Sequence, residues 1–266
     1  MKAKTLVATV TTTVILSALS TLGAQSAKAI DFGTSTDIDC VGGTGAGSCS
    51  LQNLLNSVTT AGPTINTTQD SGAQIFTSAG GTTTGSYLFS VAGYAPHNKF
   101  GLYKLSDPQT KIELFGGVTS GITAGAKTMV NFLANGSVQV GSSIVQNFGS
   151  QYGFYLDRQG PDPLTVYSQN NLNAGSAQQM VAYAGNGQTR LNIGGTDTLF
   201  DKNSTLLGFE DLRLNEGDRD YNDLVVLVSG VQNSKDVPEP MALIGLAAVG
   251  AAGVLRRRAK VAQKMA

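Results

Sequence analysis

The segment that decides the fold, residues 207–228, reads Leu-Gly-Phe-Glu-Asp-Leu-Arg-Leu-Asn-Glu-Gly-Asp-Arg-Asp-Tyr-Asn-Asp-Leu-Val-Val-Leu-Val. Six carboxylates fall within the fourteen residues from Glu210 to Asp223, and the apolar run 224–228 follows directly. Apolar runs rich in Val and Leu beside clusters of Gly, Asn and Asp are typical of strands bounded by turns. We therefore expect a strand on each side of an acidic loop, the second of them fully buried.

The same pattern extends back to Ile65, with short runs rich in Val, Thr, Tyr and Phe between Gly, Asn, Asp and Pro. It predicts strands at residues 86–91, 99–105, 112–115, 128–133, 137–140, 153–156, 164–167, 179–183, 206–209 and 224–228. About ten strands at such spacing favour an all-β fold, an antiparallel β-sandwich or jelly-roll. Residues 100–103 and 152–155 share an aromatic-Gly-apolar-Tyr order, and a repeated core strand and coincidence both account for it.

One short helix is expected before the strands. Residues 50–58 place leucines at helical spacing behind Ser50, a residue that can cap a helix. The pair Gly62-Pro63 would stop this helix.

The acidic loop contains the candidate metal ligands Asp218, Asp220, Asn222 and Asp223, to which Glu210 and Asp211 could add oxygens from the adjoining strand end. Oxygen ligands at alternate positions suit calcium (Ca2+), which takes six to eight of them in flexible geometry. An EF-hand is rejected because Asp223 occupies the place of its glycine and Ser229 the place of its bidentate glutamate. A polar turn whose Asp and Asn side chains cap their own backbone is the competing interpretation, and both remain open.

Cys40 and Cys49 are the only cysteines and bracket a loop with four glycines. In an exported protein such a pair is expected to form a disulfide, worth roughly 2–3 kcal/mol for so short a loop. Two thiols without a nearby histidine make a poor zinc site.

Both ends of the chain carry export signals. Residues 1–29 combine Lys2 and Lys4 with an apolar run and the cleavage pattern Ala27-Lys28-Ala29, as in a secretory signal peptide. At the other end, Pro238, Glu239 and Pro240 precede the apolar run 241–255 and then Arg256, Arg257 and Arg258. The arginines would hold the tail on the cytoplasmic side and leave the body of the chain outside.

This C-terminal arrangement resembles the PEP-CTERM sorting signal of Gram-negative bacteria, a Pro-Glu-Pro followed by a short transmembrane helix and a basic cluster. The resemblance implies that an exosortase-type membrane protease is a partner of this chain. An ordinary membrane anchor with a chance Pro-Glu-Pro is the alternative.

The predicted organisation has six parts. They are the signal peptide (1–29), a Gly/Ser/Thr-rich lead-in with the disulfide and the helix (30–64), the β-sandwich domain (65–232), a linker with the Pro-Glu-Pro motif (233–240), a transmembrane sorting helix (241–255) and a basic cytoplasmic tail (256–266). Between residues 30 and 240 there are eighteen acidic but ten basic residues, a net charge of −8. Such a surface repels phosphate backbones, so nucleic acid is not an expected partner.

The sequence contains few of the residues that common catalytic motifs require. The single histidine, His97, follows a proline in a short polar segment, and neither a Gly-x-Ser-x-Gly elbow nor a His-Glu-x-x-His motif occurs. Tryptophan, the usual stacking platform for sugars, is absent. We expect a protein that is not an enzyme.

The acidic segment resembles a family of exported bacterial domains of unknown function (DUF4114-like). Its closing motif, Gly-Phe-Glu-Asp followed by Asp-x-Asp-Tyr/Phe-Asn-Asp and a hydrophobic strand, is matched by residues 208–211 and 218–228. Residues 99–103 and 152–157 fit the aromatic strands of that family, so the resemblance spans roughly residues 86–230. It implies an extracellular β-rich domain without established catalytic activity.

Together these features predict a non-enzymatic protein of the cell envelope, outer surface or extracellular matrix, adhesive or structural, with extracellular polysaccharide or surface proteins as its partners. The alternative is a carbohydrate-binding module or glycan-active enzyme of the exopolysaccharide matrix. Membrane contact through the C-terminal helix would precede processing.

Overall fold

The computed structural model describes residues 32–33, 39–40, 43–44, 49–79, 81–89, 95–116, 124–160 and 162–233. In these ranges the chain forms one helix, α1 (Leu51–Val58), and eighteen strands. The strands are β1 (Asp39–Cys40), β2 (Gly43–Thr44), β3 (Thr59–Ala61), β4 (Phe76–Ser78), β5 (Thr82–Phe89), β6 (Asn98–Lys104), β7 (Asp107–Phe115), β8 (Lys127–Phe132), β9 (Val138–Val140), β10 (Ser143–Val145), β11 (Gln151–Arg158), β12 (Leu164–Tyr167), β13 (Met180–Ala184), β14 (Arg190–Ile193), β15 (Thr196–Leu199), β16 (Ser204–Phe209), β17 (Leu224–Ser229) and β18 (Val231–Asn233).

The two largest sheets enclose the main hydrophobic core. A seven-stranded sheet runs in the order β10-β9-β8-β5-β17-β16-β13, and a six-stranded sheet runs β18-β4-β11-β6-β7, with β12 also paired to β11. Neighbouring strands in both sheets are antiparallel. Phe100 of the six-stranded sheet meets Phe209 of the seven-stranded sheet edge-on, with ring centroids 5.8 Å apart. The expected all-β, antiparallel class is confirmed and the arrangement is sandwich-like, whereas a jelly-roll topology stays a prediction.

The centre of the seven-stranded sheet is buried on both faces. Leu207 and Val226 point into the main core, while Leu206 and Leu227 point the other way. These two pack in a second core with Leu51 of α1 and with side chains of β14. β14 lies between β15 and β3 in a small three-stranded sheet. This outer layer explains why every residue of β16 and all but the last residue of β17 are buried, instead of alternating between buried and exposed.

Helix α1 belongs to that outer layer. The Ser50 hydroxyl accepts a hydrogen bond from the Asn53 N–H at 3.4 Å and caps the helix. The helix ends at Val58, before Gly62-Pro63, because residues 59–61 become β3 and pair with β14. Gly62, at φ +81°, turns the chain after this strand instead of ending the helix.

Each of the ten predicted strands coincides with an observed strand, with ends that differ by a few residues. The prediction missed β1, β2, β3, β4, β10, β14, β15 and β18, which contain two to four residues each. A period of two is hard to recognise in so short a run, although β9 and β12 were predicted at the same length.

The two strands with the shared aromatic-Gly-apolar-Tyr order are antiparallel neighbours. In the β6–β11 pair, Tyr103 lies opposite Gly153 and Gly101 lies opposite Tyr155. A Cβ atom added at Gly153 would overlap the Tyr103 ring, and one added at Gly101 would come within 2.8 Å of the Tyr155 ring. Each tyrosine therefore lies across the glycine of the other strand, and the repeated order has a packing reason.

Replacing Gly153 by alanine should lower the free energy of unfolding by about 1–3 kcal/mol, because the methyl group overpacks the site under the Tyr103 ring. Combining Gly153→Ala with Tyr103→Leu should cost less than the sum of the two single changes, since the leucine removes the ring that clashes. Urea unfolding measures both. Gly85→Ala, whose methyl would meet Phe115 at a milder 3.3 Å, is the control, and full additivity would contradict the packing explanation.

Both predicted terminal segments lie outside the described residues. These are the signal peptide (1–29), most of the linker with Pro238, Glu239 and Pro240, the sorting helix (241–255) and the tail with Arg256, Arg257 and Arg258. None of the helices in the described ranges combines the length and hydrophobicity that a bilayer crossing requires.

Candidate metal centre

The acidic loop, residues 210–223, connects two paired strands. Phe209, the last residue of β16, lies opposite Leu224, the first residue of β17. This pairing fixes the two ends of the loop side by side at one end of β16 and β17, two interior strands of the seven-stranded sheet. Residues far apart in the loop, such as Glu210 and Asp223, are thereby brought into one neighbourhood.

Glu210 is buried at the base of the loop. Its side chain is 0% exposed, and its Oε1 accepts a hydrogen bond from the Tyr221 N–H at 2.6 Å. Its Oε2 is buried and has no hydrogen-bond partner among the described residues. A Cβ atom at Gly217 would lie 2.9 Å from this oxygen, so the glycine leaves space beside it. A buried carboxylate oxygen without a donor is costly unless a cation or a proton is bound there.

Three carboxylates converge at this point. Glu210, Asp218 and Asp220, which we name the carboxylate trio, each offer an oxygen, and these oxygens all lie within 4.8 Å of one another. Calcium binds oxygens at 2.3–2.6 Å, so two oxygens on one ion are at most about 5 Å apart. The trio therefore has the dimensions of a shared calcium site.

Asn222 supports the trio through Asp220. Its backbone N–H donates to Asp220 Oδ1 at 3.2 Å, and its side-chain Nδ2 donates to Asp220 Oδ2 and to the carbonyl oxygen of Cys49, both at 2.6 Å. The amide thus holds the Asp220 carboxylate in place and ties the loop to the segment before α1. The Asn222 Oδ1 is itself buried without a hydrogen-bond partner among the described residues.

Asp211 and Asp223 form a separate group, the carboxyl pair. The Asp211 N–H donates to Asp223 Oδ2 at 2.7 Å, and Asn98 Nδ2 donates to Asp211 Oδ2 at 2.7 Å. Each carboxyl group of the pair therefore accepts a hydrogen bond from an N–H group. This pair links the loop to the start of β6 in the opposite sheet.

Burial is the main cause of the raised carboxyl pKa values in the loop. It raises the pKa of the Glu210 carboxyl to about 8, and the charges of Asp220, Asp218 and Asp211 add to the rise. Burial likewise raises the pKa of Asp211, against the hydrogen bond from Asn98, and raises the pKa of Asp223 well above its usual range. Without a metal ion, Glu210 therefore keeps its proton to a higher pH than a solvated carboxyl would.

Without metal, the protein should lose stability as the pH rises from about 5 to about 8. In the unfolded chain Glu210 ionises near its ordinary value of 4.5, whereas in the native protein it keeps its proton until about pH 8. The native state binds more protons in this window, so the free energy of unfolding falls with rising pH, by at most about 1.4 kcal/mol per pH unit for one proton.

Urea unfolding of chelator-treated protein at several pH values measures this slope. Glu210→Gln, which cannot titrate, should make the profile flatter. A stability that increases between pH 5 and 8 would contradict the assignment of a buried, protonated Glu210.

The six predicted ligands thus divide by position. Glu210, Asp218 and Asp220 come together, Asn222 orients Asp220, and Asp211 and Asp223 contact each other. The sequence analysis missed Asn98, which is 113 residues from its partner Asp211. No local pattern marks it, because only the packing of the two sheets brings β6 to this loop.

Cys49 adjoins the site through its carbonyl oxygen and is buried and disulfide-bonded. The side chain of Cys40, the chain's other cysteine, lies outside the described part of the structure. The Cys40–Cys49 pairing therefore stays a prediction.

A cavity of about 240 Å³ borders the acidic loop, lined among others by Leu164, Val166, Gln179, Arg213 and Leu214. It is smaller than the pockets that usually hold drug-sized ligands. None of its lining residues is aromatic, so it provides no stacking surface for a sugar ring. His97 lies exposed in a 3-10 turn before β6.

Comparison with known proteins gives one match. No curated protein and no solved structure shows significant similarity to the chain. Residues 122–231 match a family described as "Domain of unknown function (DUF4114)", which is consistent with the resemblance inferred from residues 208–211 and 218–228. The matched range begins later than the expected residue 86 and covers less than half of the chain. It contains the whole acidic loop, so the candidate metal centre lies in the part of the chain that is similar to this family.

Proposed function

We propose that this chain is an exported, non-enzymatic β-sandwich protein of the cell envelope or extracellular matrix of a Gram-negative bacterium, whose fold is stabilised by calcium. The carboxylate trio would hold the ion. The observation that carries the calcium proposal is the buried Glu210 Oε2, which lacks a hydrogen-bond donor among the described residues while two further carboxylates lie beside it.

The burial of the trio favours a structural role for the ion. Glu210 is 0% and Asp220 2% exposed, and Asp218 is half-buried. An ion that contacts a sugar or protein ligand directly needs an open coordination position at the surface. An ion enclosed by these side chains would instead neutralise the loop and join β16 to β17, so any adhesive contact would be made by other surfaces.

Millimolar calcium should raise the unfolding midpoint of the parent protein, because the ion binds the native state and relieves repulsion among buried carboxylates. At one hundred times the dissociation constant the linkage amounts to about 2.7 kcal/mol. Differential scanning calorimetry with calcium and with chelator measures the shift. Magnesium should do less, because its stricter octahedral demand suits this loop poorly.

Variants of the trio test which residues bind. Glu210→Gln, Asp218→Asn and Asp220→Asn should each remove most of the calcium shift. Glu216→Gln is the matched control, since Glu216 lies in the same loop but is exposed and paired with Arg213 at 3.4 Å. An unchanged midpoint of the parent protein in calcium would leave the loop as a polar turn and end the calcium proposal.

The export half of the proposal rests on the sequence of the termini. The cleavage pattern 27–29 and the Pro-Glu-Pro motif with its arginine cluster support secretion, sorting by an exosortase-type protease and delivery to the outer surface or matrix. Polysaccharides of the matrix or surface proteins are the proposed partners.

Intact-mass analysis of the protein recovered from the cell exterior should show neither residues 1–29 nor the tail 256–266. Substituting Pro238→Ala and Glu239→Ala should leave the tail in place, because the protease would no longer recognise its motif. Recovery of the full-length parent chain from the outer surface would refute sorting by this signal.

The alternative function, a carbohydrate-binding module or glycan-active enzyme, is supported by the sequence setting alone. A glycan array probed with and without calcium separates the two. Glycan binding that requires calcium would favour the alternative, and a calcium-dependent midpoint without calcium-dependent glycan binding would favour the structural role.

A further inference from the structure

A short N-terminal segment, Phe32 and Gly33, lies directly on the acidic loop. The Gly33 N–H donates to the carbonyl oxygen of Arg219 at 3.0 Å. The Phe32 ring packs edge-on against the Tyr221 ring, with centroids 5.5 Å apart, and joins the second core from outside. We name these two residues the strap.

Gly33 fits the loop only because it has no side chain. A Cβ atom at this position would overlap the backbone carbonyl of Asp218. The overlap is with main chain, so no rotamer change could relieve it, and a larger residue would have to push the loop away. The backbones of the strap and the loop are therefore too close together for a side chain at position 33.

The strap contacts Arg219 and Tyr221, the two loop residues on either side of Asp220. Arg219 lies between Asp218 and Asp220, and both Arg219 and Tyr221 have left-handed backbone conformations, at φ +59° and +57°. The Tyr221 N–H donates to Glu210 Oε1. The strap therefore contacts the backbone segment that carries Asp218 and Asp220 and that supplies the hydrogen bond to Glu210.

We infer that the strap is a positioning element of the cation site, which closes the acidic loop over the bound ion and slows its release. This inference rests on the proposed calcium function and adds its regulation: calcium affinity depends on the docking of Phe32 and Gly33. Without the strap, Arg219 would lose the backbone hydrogen bond from Gly33 and Tyr221 would lose its ring contact with Phe32, while the hydrogen bonds of Asn98 to Asp211 and of Asn222 to Cys49 would remain.

The experiment measures calcium binding to the full exported protein. Competition with a chromophoric chelator gives the dissociation constant, and stopped-flow mixing with excess chelator gives the release rate. Phe32→Ala and Gly33→Ala should each raise the dissociation constant about tenfold, within the roughly 5- to 150-fold range of coupled sites. The release rate should rise in proportion, as it does for most changes in affinity. Phe32→Leu, which keeps most of the apolar contact, should restore much of the affinity.

Phe132→Ala is the matched control. Phe132 is also a half-buried phenylalanine with one close aromatic neighbour, the Tyr152 ring at 4.9 Å, but it packs on the main core. This substitution should lower the unfolding midpoint and leave the dissociation constant of calcium unchanged. A strap that merely stabilised the fold would give the Phe32 variant the same behaviour.

The outcomes separate this inference from the proposed function. If the parent protein binds calcium and both strap variants bind it with unchanged affinity and release rate, the strap has no role in the site and the calcium proposal stands. If the parent protein binds no calcium, both fail. If Phe32→Ala does not fold, the affinity of Gly33→Ala alone decides, since this change leaves the second core intact.

Discussion

The antiparallel pairing of β16 with β17 is the interaction on which the rest of the structure depends. Because Phe209 lies opposite Leu224, the fourteen residues between them must form a closed loop at one end of these two strands. Both strands are buried from two sides, by the main core and by the layer of α1 and β14. The pairing therefore stabilises the centre of the sandwich and at the same time draws five of the six carboxylates of the loop into a small, partly dehydrated space, whereas Glu216 stays exposed.

Burying carboxylates in this space costs free energy, and the two groups of carboxylates differ in the contacts that reduce the cost. For the carboxyl pair, the Asn98 amide and the Asp211 N–H supply hydrogen-bond donors, and burial raises the pKa of both carboxyls. For the trio, the Tyr221 N–H satisfies one oxygen of Glu210 and leaves the other without a donor among the described residues. Either a divalent cation or a retained proton would lower the cost of burying this oxygen, and the cation can bind several oxygens at once.

Packing elsewhere in the sandwich is equally specific. The reciprocal contacts of Tyr103 with Gly153 and of Tyr155 with Gly101 fix the register of β6 on β11, because a slip by one residue would place each ring against a side chain. Correct register of these strands in turn places Asn98, the first residue of β6, beside the carboxyl pair. The fold and the candidate site thus share one set of constraints.

The sequence by itself determined the all-β class, ten of the strands, the short helix and the region of the candidate site, because alternation, turn residues and charge clusters are local properties of the chain. It also predicts export signals at both ends, which stay predictions. Only the tertiary structure decided which carboxylates meet, since the trio and the carboxyl pair differ in how β16, β17 and β6 pack and not in residue type. The Asn98 bridge and the docking of Phe32 and Gly33 likewise depend on partners more than 100 residues away, for which the local sequence contains no signal.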